Sequence, residues 1–200
     1  HVADLVLAFV MVTPRRLKHR LAVGALALAA AGAAWPCGFE DPNSVASQRG
    51  MMNLAFPKSA WVRTAVWQAQ MAGDLPRDAL AQREDLTPQA RGTLQLIRAT
   101  GLLKTLAARL GHAPEAGETP ALAVVLMGPM LWSRIEPQGG GAQVRTHVSG
   151  PVAGDVVLVT DTPALEALVG GGMGIEQALE LGLVRLYGPA AEVGAAQTWL

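Results

Sequence analysis

Few side chains in this sequence have the types and spacing that catalysis or metal binding requires. After residue 34 the chain holds two histidines, His112 and His147, 35 residues apart, and the single cysteine is Cys37. Neither a His-Glu-x-x-His nor a Cys-x-x-Cys spacing occurs, so the sequence favours no metal site. Cys37 is a candidate nucleophile, but it has no neighbouring basic pair to lower its pKa. We therefore expect a protein without catalysis, metal or cofactor.

One strand places two polar side chains where they could orient a ligand. Residues 143–148 alternate in character, which predicts a strand with Arg145 and His147 on one face. This pair is the candidate for contacts with the head group of a ligand. The alternative is that both side chains face solvent on the open side of a sheet.

The first 34 residues have the composition of an export signal. A basic cluster at residues 15–20 precedes an alanine-rich apolar run of 14 residues, the order typical of a secretory signal. The run is too short for a membrane span, which needs about 20 residues. We expect cleavage near Ala33 to Cys37, a mature protein in the bacterial periplasm, and Met11 as the true start, with residues 1–10 not translated.

Cys37 also lies close to the expected cleavage site, which makes it a candidate for lipidation. Trp35 and Pro36 stand where a lipoprotein signal has small residues. Contact with a membrane is therefore expected only through the signal or through such an anchor. The 16 basic and 16 acidic residues cancel, so the charge favours no nucleic-acid partner.

Residues 35–112 predict a helical region. The pattern indicates a helix over residues 44–56, a second helix that Ser59 caps and that ends at Gly73, and a third that Thr87 opens and that ends near Leu110. Residues 113–120 combine proline, glycine and acids, so they predict a linker. Trp61 and Trp67 are six apart, and we expect them to pack against different neighbours.

Residues 121–200 predict a small, mostly antiparallel sheet covered by short helices. Apolar runs on both sides of Gly128 and Pro129 favour two strands, and residues 138–141 predict a hairpin turn. Residues 154–188 then give a strand, two short helices and a strand. With the helices on one side of the sheet, the fold class is α+β.

The stretch over residues 154–188 resembles the C-terminal half of the sterol carrier protein type-2 family. The residues that match are Asp155, Leu165, Leu168, Gly170 or Gly171, Ala178, Gly182, Leu183, Leu186 and Gly188. About 45 residues match, and about 80 if the likeness begins near residue 120. The resemblance implies that this part packs with the helical region as one domain and encloses an apolar cavity.

The function that the resemblance implies is binding or carriage of a lipid- or sterol-like small molecule. The side chains expected to line the cavity are Leu126, Trp132, Leu168, Met173 and Ile175. Two alternatives stay open. The chain is an accessory subunit of a periplasmic complex that docks a protein partner on the helix of Trp61 and Trp67, or it is an enzyme that uses Cys37 or a histidine.

Overall fold

The structure, a computed structural model, describes residues 42–80, 82–110 and 119–200. The predicted export signal, Cys37, His112 and most of the predicted linker lie outside these residues. The elements, in chain order, are α1 (Pro42–Ala55), α2 (Trp61–Ala72), α3 (Pro88–Arg109), β1 (Leu122–Leu126), β2 (Leu131–Gln138), β3 (Gly141–Thr146), β4 (Val156–Thr160), α4 (Thr162–Gly170), α5 (Ile175–Glu180), β5 (Arg185–Tyr187) and α6 (Ala190–Trp199).

The predicted fold class is confirmed, because helices precede a sheet of five strands in the order β3-β2-β1-β4-β5. The central strand β1 pairs with β4 in parallel, and the other three strand pairs are antiparallel. The hairpin predicted over residues 138–141 joins β2 and β3. Gly140 in this turn has φ +95°, which glycine adopts without steric cost.

The strand register divides the sheet into two faces. Face A carries Leu126 of β1 beside Leu131 of β2, and face B carries Val125 beside Trp132. All five residues of β1 and all five of β4 are buried. In β2 burial alternates, with Leu131 and Ile135 buried on face A. The middle of the sheet is therefore covered on both faces.

Helices cover both faces of the sheet, so the expectation that they lie on one side is wrong. Helix α3 packs against β2 and β3, on the buried face A. On face B, the ring of Phe56 lies 6.2 Å from Trp132 and 5.3 Å from Tyr187, between ring centroids. Phe56, the residue after α1, thus covers part of the face that a one-layer arrangement would leave open to water.

Local signals set the bounds of α3, as predicted, and also those of α4. The Thr87 side chain accepts a hydrogen bond from the Ala90 N–H (3.2 Å), and Asp161 accepts one from the Thr162 N–H (2.8 Å). Helix α4 ends at Gly170 and is capped by Gly171, whose φ is +73°. Capping side chains and a left-handed glycine satisfy end groups that a helix leaves unpaired.

Two expectations for the helical half are wrong. Ser59 does not cap α2, because Ala60 precedes the helix in helical conformation and the Ser59 side chain is buried. The two tryptophans are not packed: Trp61 is 63% exposed and Trp67 60%. Val62, Val66 and Ala69 form the buried stripe of α2 instead. Helix α1 also begins two residues earlier than predicted and ends one earlier.

Candidate functional site

Helix α2 rests on β4 through its buried stripe, and a cleft lies along each of its flanks. Trp61 borders one cleft and Trp67 the other. The two positions are about 120° apart on a helix that turns about 100° per residue, so the indoles point to different sides. We name the clefts by what lies across from α2: the β5-side cleft and the α3-side cleft.

The β5-side cleft has a volume of about 440 Å³. Its lining residues come from α2, the turn before it, and the segment that joins α5 to β5: Lys58, Trp61, Thr64, Ala65, Gln68, Leu181, Gly182 and Arg185. Two of these residues are cations and none is an acid. Within the described residues, neither Lys58 nor Arg185 forms an ion pair.

The turn that carries Lys58 is fixed to β5. The Tyr187 hydroxyl donates a hydrogen bond to the Pro57 carbonyl (2.8 Å), and the Phe56 ring packs on Tyr187. Lys58 itself has φ +69°, a left-handed conformation that costs a residue with a side chain about 1 kcal/mol or more. The surrounding contacts therefore hold Lys58 in a conformation it would not adopt alone.

Arg185 lies on face B, opposite Val159 of β4. Its Nε is buried and has no hydrogen-bond partner within the described part of the chain. Gly182, with φ +70°, lies beside it: a Cβ there would be 3.6 Å from Nη2 of Arg185 and 3.9 Å from Cβ of Ala65. The guanidinium therefore lies close to backbone that carries no side chain.

The α3-side cleft has a volume of about 360 Å³ and lies between α2, the turn from β1 to β2, α3 and the start of α4. Its charged side chains pair with each other. Arg63 lies 3.6 Å from Asp161, and Arg98 contacts Asp78 (3.1 Å) and Glu166. The apolar lining comes from Val66, Trp67, Pro129 and Pro163.

Asp161 joins this cleft to the fold. It accepts hydrogen bonds from the N–H groups of Gly128 (3.0 Å) and Thr162 (2.8 Å). Burial raises the pKa of its carboxyl, and these hydrogen bonds and Arg63 offset part of that rise. A Cβ on residue 128 would lie 2.6 Å from Oδ1 of Asp161, so a larger residue there would displace the Asp161 carboxylate. These contacts give Asp161 a structural role.

The residues predicted to line a cavity do not border either cleft. Leu126 and Trp132 lie on opposite faces of the sheet, on face A and face B. Leu168 is half-buried on α4, and Met173 and Ile175 are buried before and at the start of α5. The structure therefore does not bring all five together around one space.

The predicted head-group pair lies at the far edge of the sheet. Arg145 is exposed on β3 and pairs with Glu136. His147 follows β3 with φ +61°. Because β3 and β5 are the two edges of a five-stranded sheet, about 19 Å of sheet separates them at ~4.8 Å per strand. Arg145 and Arg185 cannot hold the same small ligand.

The sequence contained one signal for the β5-side cleft that the interpretation missed. Arg185 interrupts the apolar run Leu-Val-Arg-Leu-Tyr at residues 183–187, and a cation in a half-buried strand needs a reason. Lys58 has no such signal, because it stands in a turn after proline, where charged residues are ordinary.

The described residues hold neither a cluster of metal-ligating side chains nor a helix that could cross a membrane. No group of three or more His, Cys, Asp or Glu side chains in the described ranges could hold a metal ion. Among the helices of the same ranges, none combines the length and the apolar character that crossing a membrane requires.

Comparison with known proteins finds no family model and no curated protein that matches the chain. Among solved structures, a sterol carrier protein 2-like 2 from Aedes aegypti matches 52% of this chain and 98% of its own, at 12% identity and a TM-score of 0.40. The predicted resemblance thus stands as a weak likeness of fold.

Two structures of a sec-alkylsulfatase also match. The enzyme Pisa1 from Pseudomonas sp. aligns with 57% of this chain at 21% identity and a TM-score of 0.34. A double mutant of PisA1 aligns with 82% at 16% identity and a TM-score of 0.42. This chain covers 16% and 30% of the length of those two chains. At these scores the likenesses carry no argument about function.

Proposed function

We propose that this chain is an exported, non-catalytic protein that binds a hydrophobic small molecule of lipid-like character in the β5-side cleft. Export rests on the signal pattern of residues 15–34, and the absence of catalysis rests on the lack of catalytic spacing in the sequence. The observation that carries the proposal is an exposed indole, Trp61, at the border of a concave site.

The lining of the cleft supports this choice. Trp61 is 63% exposed and Leu181 47%, although both are large apolar side chains. A volume of about 440 Å³ falls within the range of ~300–1,000 Å³ in which small ligands bind. An apolar ligand in this space would remove both side chains from water.

The free energy gained by burying this apolar surface limits how tightly an apolar ligand can bind in the cleft. Covering about 100 Å² of apolar surface on each partner contributes about 5 kcal/mol at ~25 cal/mol per Å². Association itself costs at least about 4 kcal/mol, so apolar contact alone leaves at most about 1 kcal/mol, a dissociation constant of roughly 0.2 M or weaker. A physiological ligand of this cleft therefore needs polar contacts as well.

Tryptophan fluorescence tests the proposal with the side chain that carries it. Titration with decanol, and with fatty-acyl and sterol probes, should shift the emission of the wild type to shorter wavelength as Trp61 leaves water. The shift should disappear in Trp61→Phe and persist in Trp67→Phe. If the wild type shows no shift with any probe, or Trp61→Phe shifts equally, the proposal fails.

A second candidate function is that of an accessory subunit, which a different observation favours. Trp67 and Met71 are 60% and 59% exposed and four residues apart on α2, so they lie on one side of the helix. Docking through that side would depend on Trp67, whereas Trp67→Ala would leave the binding of small molecules unchanged. Association that Trp67→Ala abolishes would favour this function.

A further inference from the structure

We infer that the β5-side cleft selects anionic amphiphiles: Arg185 and Lys58 hold a carboxylate, sulfate or phosphate group, and Trp61 packs on the adjoining apolar chain. This inference rests on the proposed function and adds the chemical class of the ligand. The juxtaposition that carries it is two cations and an exposed indole around one concave space.

The charge of the cleft lacks a counterpart within the described residues. Lys58 and Arg185 both line it, no lining residue is acidic, and neither cation has an ion pair in the described part of the chain. Across α2 the opposite holds, since Arg63 and Arg98 both contact carboxylates. Positive charges that line a concave site raise the local concentration of anions there.

Arg185 has an unused donor. The buried Nε has no hydrogen-bond partner among the described residues, and a buried donor without an acceptor costs free energy. Because Nε is enclosed by protein, an anion in the cleft would meet the terminal nitrogens of the guanidinium, of which Nη2 lies beside Gly182 in the cleft lining. The planar guanidinium matches the two oxygens of a carboxylate, sulfate or phosphate with parallel hydrogen bonds, which explains why an anion fits better than a neutral hydroxyl.

Lys58 supplies a second charge from a fixed position. The turn is held by the Tyr187 hydrogen bond to Pro57 and by the packing of Phe56 on Tyr187. A lysine ammonium acts as a point charge without a directional fork. It therefore adds attraction to any anion in the cleft, while Arg185 sets the geometry.

The test compares ligands with one chain length and different heads. Isothermal titration calorimetry with decanoate and decyl sulfate below their micelle concentrations, and with decanol below its solubility limit, should show both anions binding at least about tenfold more tightly than decanol. Arg185→Gln should weaken decanoate about tenfold or more and leave decanol unchanged. Lys104→Gln, which removes an exposed cation on α3, is the matched control and should have no effect.

The outcomes separate this inference from the proposed function. Equal binding of decanol and decanoate, or equal loss in Lys104→Gln and Arg185→Gln, overturns the anion selectivity and leaves hydrophobic binding intact. Binding of none of the three ligands overturns both. Binding of inorganic sulfate with the same affinity as decyl sulfate shows a simple anion site and also overturns the inference.

Two further measurements exclude an effect of misfolding. Lys58→Gly suits the left-handed backbone of residue 58, so it should weaken decanoate while the protein stays folded. Tyr187 is the single tyrosine; burial raises the pKa of its phenol, and the nearby charge of Arg185 offsets part of that rise. Saturation with decanoate should therefore raise the absorbance titration midpoint of Tyr187, and an unchanged midpoint would contradict contact with Arg185.

Discussion

The two clefts beside α2 have similar volumes and one exposed tryptophan each. They differ in whether their charged side chains form ion pairs. In the α3-side cleft Arg63, Arg98, Asp78 and Asp161 neutralise one another. In the β5-side cleft Lys58 and Arg185 have no carboxylate partner among the described residues. A cleft whose charges are internally paired stabilises the fold, whereas unpaired charge of one sign is available to a ligand.

This difference predicts opposite consequences of mutation. Removing a member of the α3-side network leaves a partly buried partner without its counter-charge, which costs stability. Removing a cation from the β5-side cleft orphans no described partner, so it should change binding and leave stability almost unchanged.

Asp161→Ala should lower the free energy of unfolding by about 2–4 kcal/mol, measured by urea denaturation. The helix cap of α4 contributes about 1 kcal/mol, and the Gly128 N–H, which loses its acceptor, costs about 1–3 kcal/mol. Asp85→Ala, which removes a surface carboxylate paired with Arg83, is the control and should leave stability unchanged. If Asp161→Ala lowers the free energy of unfolding no more than Asp85→Ala does, the ion pairs of the α3-side cleft have no structural role.

Arg98→Gln and Arg185→Gln compare the same change in the two clefts. Arg98 is 28% exposed and pairs with Asp78 and Glu166, so its loss should cost about 1 kcal/mol after allowance for solvent screening. Arg185→Gln should change stability by less than about 0.5 kcal/mol. If denaturation curves show a larger loss of stability for Arg185→Gln than for Arg98→Gln, the β5-side cleft, not the α3-side cleft, has the structural role.

Gly182→Ala and Gly154→Ala separate backbone strain from the shape of the cleft. Both glycines have positive φ, +70° and +91°, so alanine should destabilise each by about 1 kcal/mol. Only at residue 182 would the new Cβ approach Arg185 and Ala65. Decanoate binding should therefore weaken in Gly182→Ala alone, and equal binding by both variants would remove Gly182 from the site.

The ionisation of Tyr187 tests the turn that carries Lys58. Burial raises the pKa of its phenol above the usual value near 10. Because the folded pKa is the higher one, the stabilisation is complete below about pH 10 and is lost as the pH rises through the folded pKa. Absorbance titration should give a higher midpoint for folded than for urea-unfolded protein, and coincident midpoints would place Tyr187 in solvent.

Local chemistry made residues 154–188 predictable. Asp161, Pro163 and Gly171 set the bounds of α4 by capping and backbone preference alone, and these act within a few residues. Ser59 has the same capping chemistry, yet the structure buries its side chain instead. At Ser59, tertiary packing rather than capping determines the position of the side chain. A short-range sequence pattern does not reveal such packing.

The site could not be predicted in the same way. Lys58 and Arg185 are 127 positions apart in the chain, and only the packing of the turn at residue 57 on β5 brings them to one cleft. The predicted cavity assumed helices on one side of the sheet. With both faces covered, Leu126 and Trp132 belong to separate layers.

Photolabelling tests the location of the ligand most directly. A decanoate analogue with a photoreactive diazirine on its chain, crosslinked to the purified protein and mapped by mass spectrometry of its peptides, should label α2 near Trp61 and the segment around Leu181. Unlabelled decanoate should compete. Labelling confined to β1, α4 or the residues near Arg145, with none at Trp61 or Leu181, would contradict the assignment of the β5-side cleft.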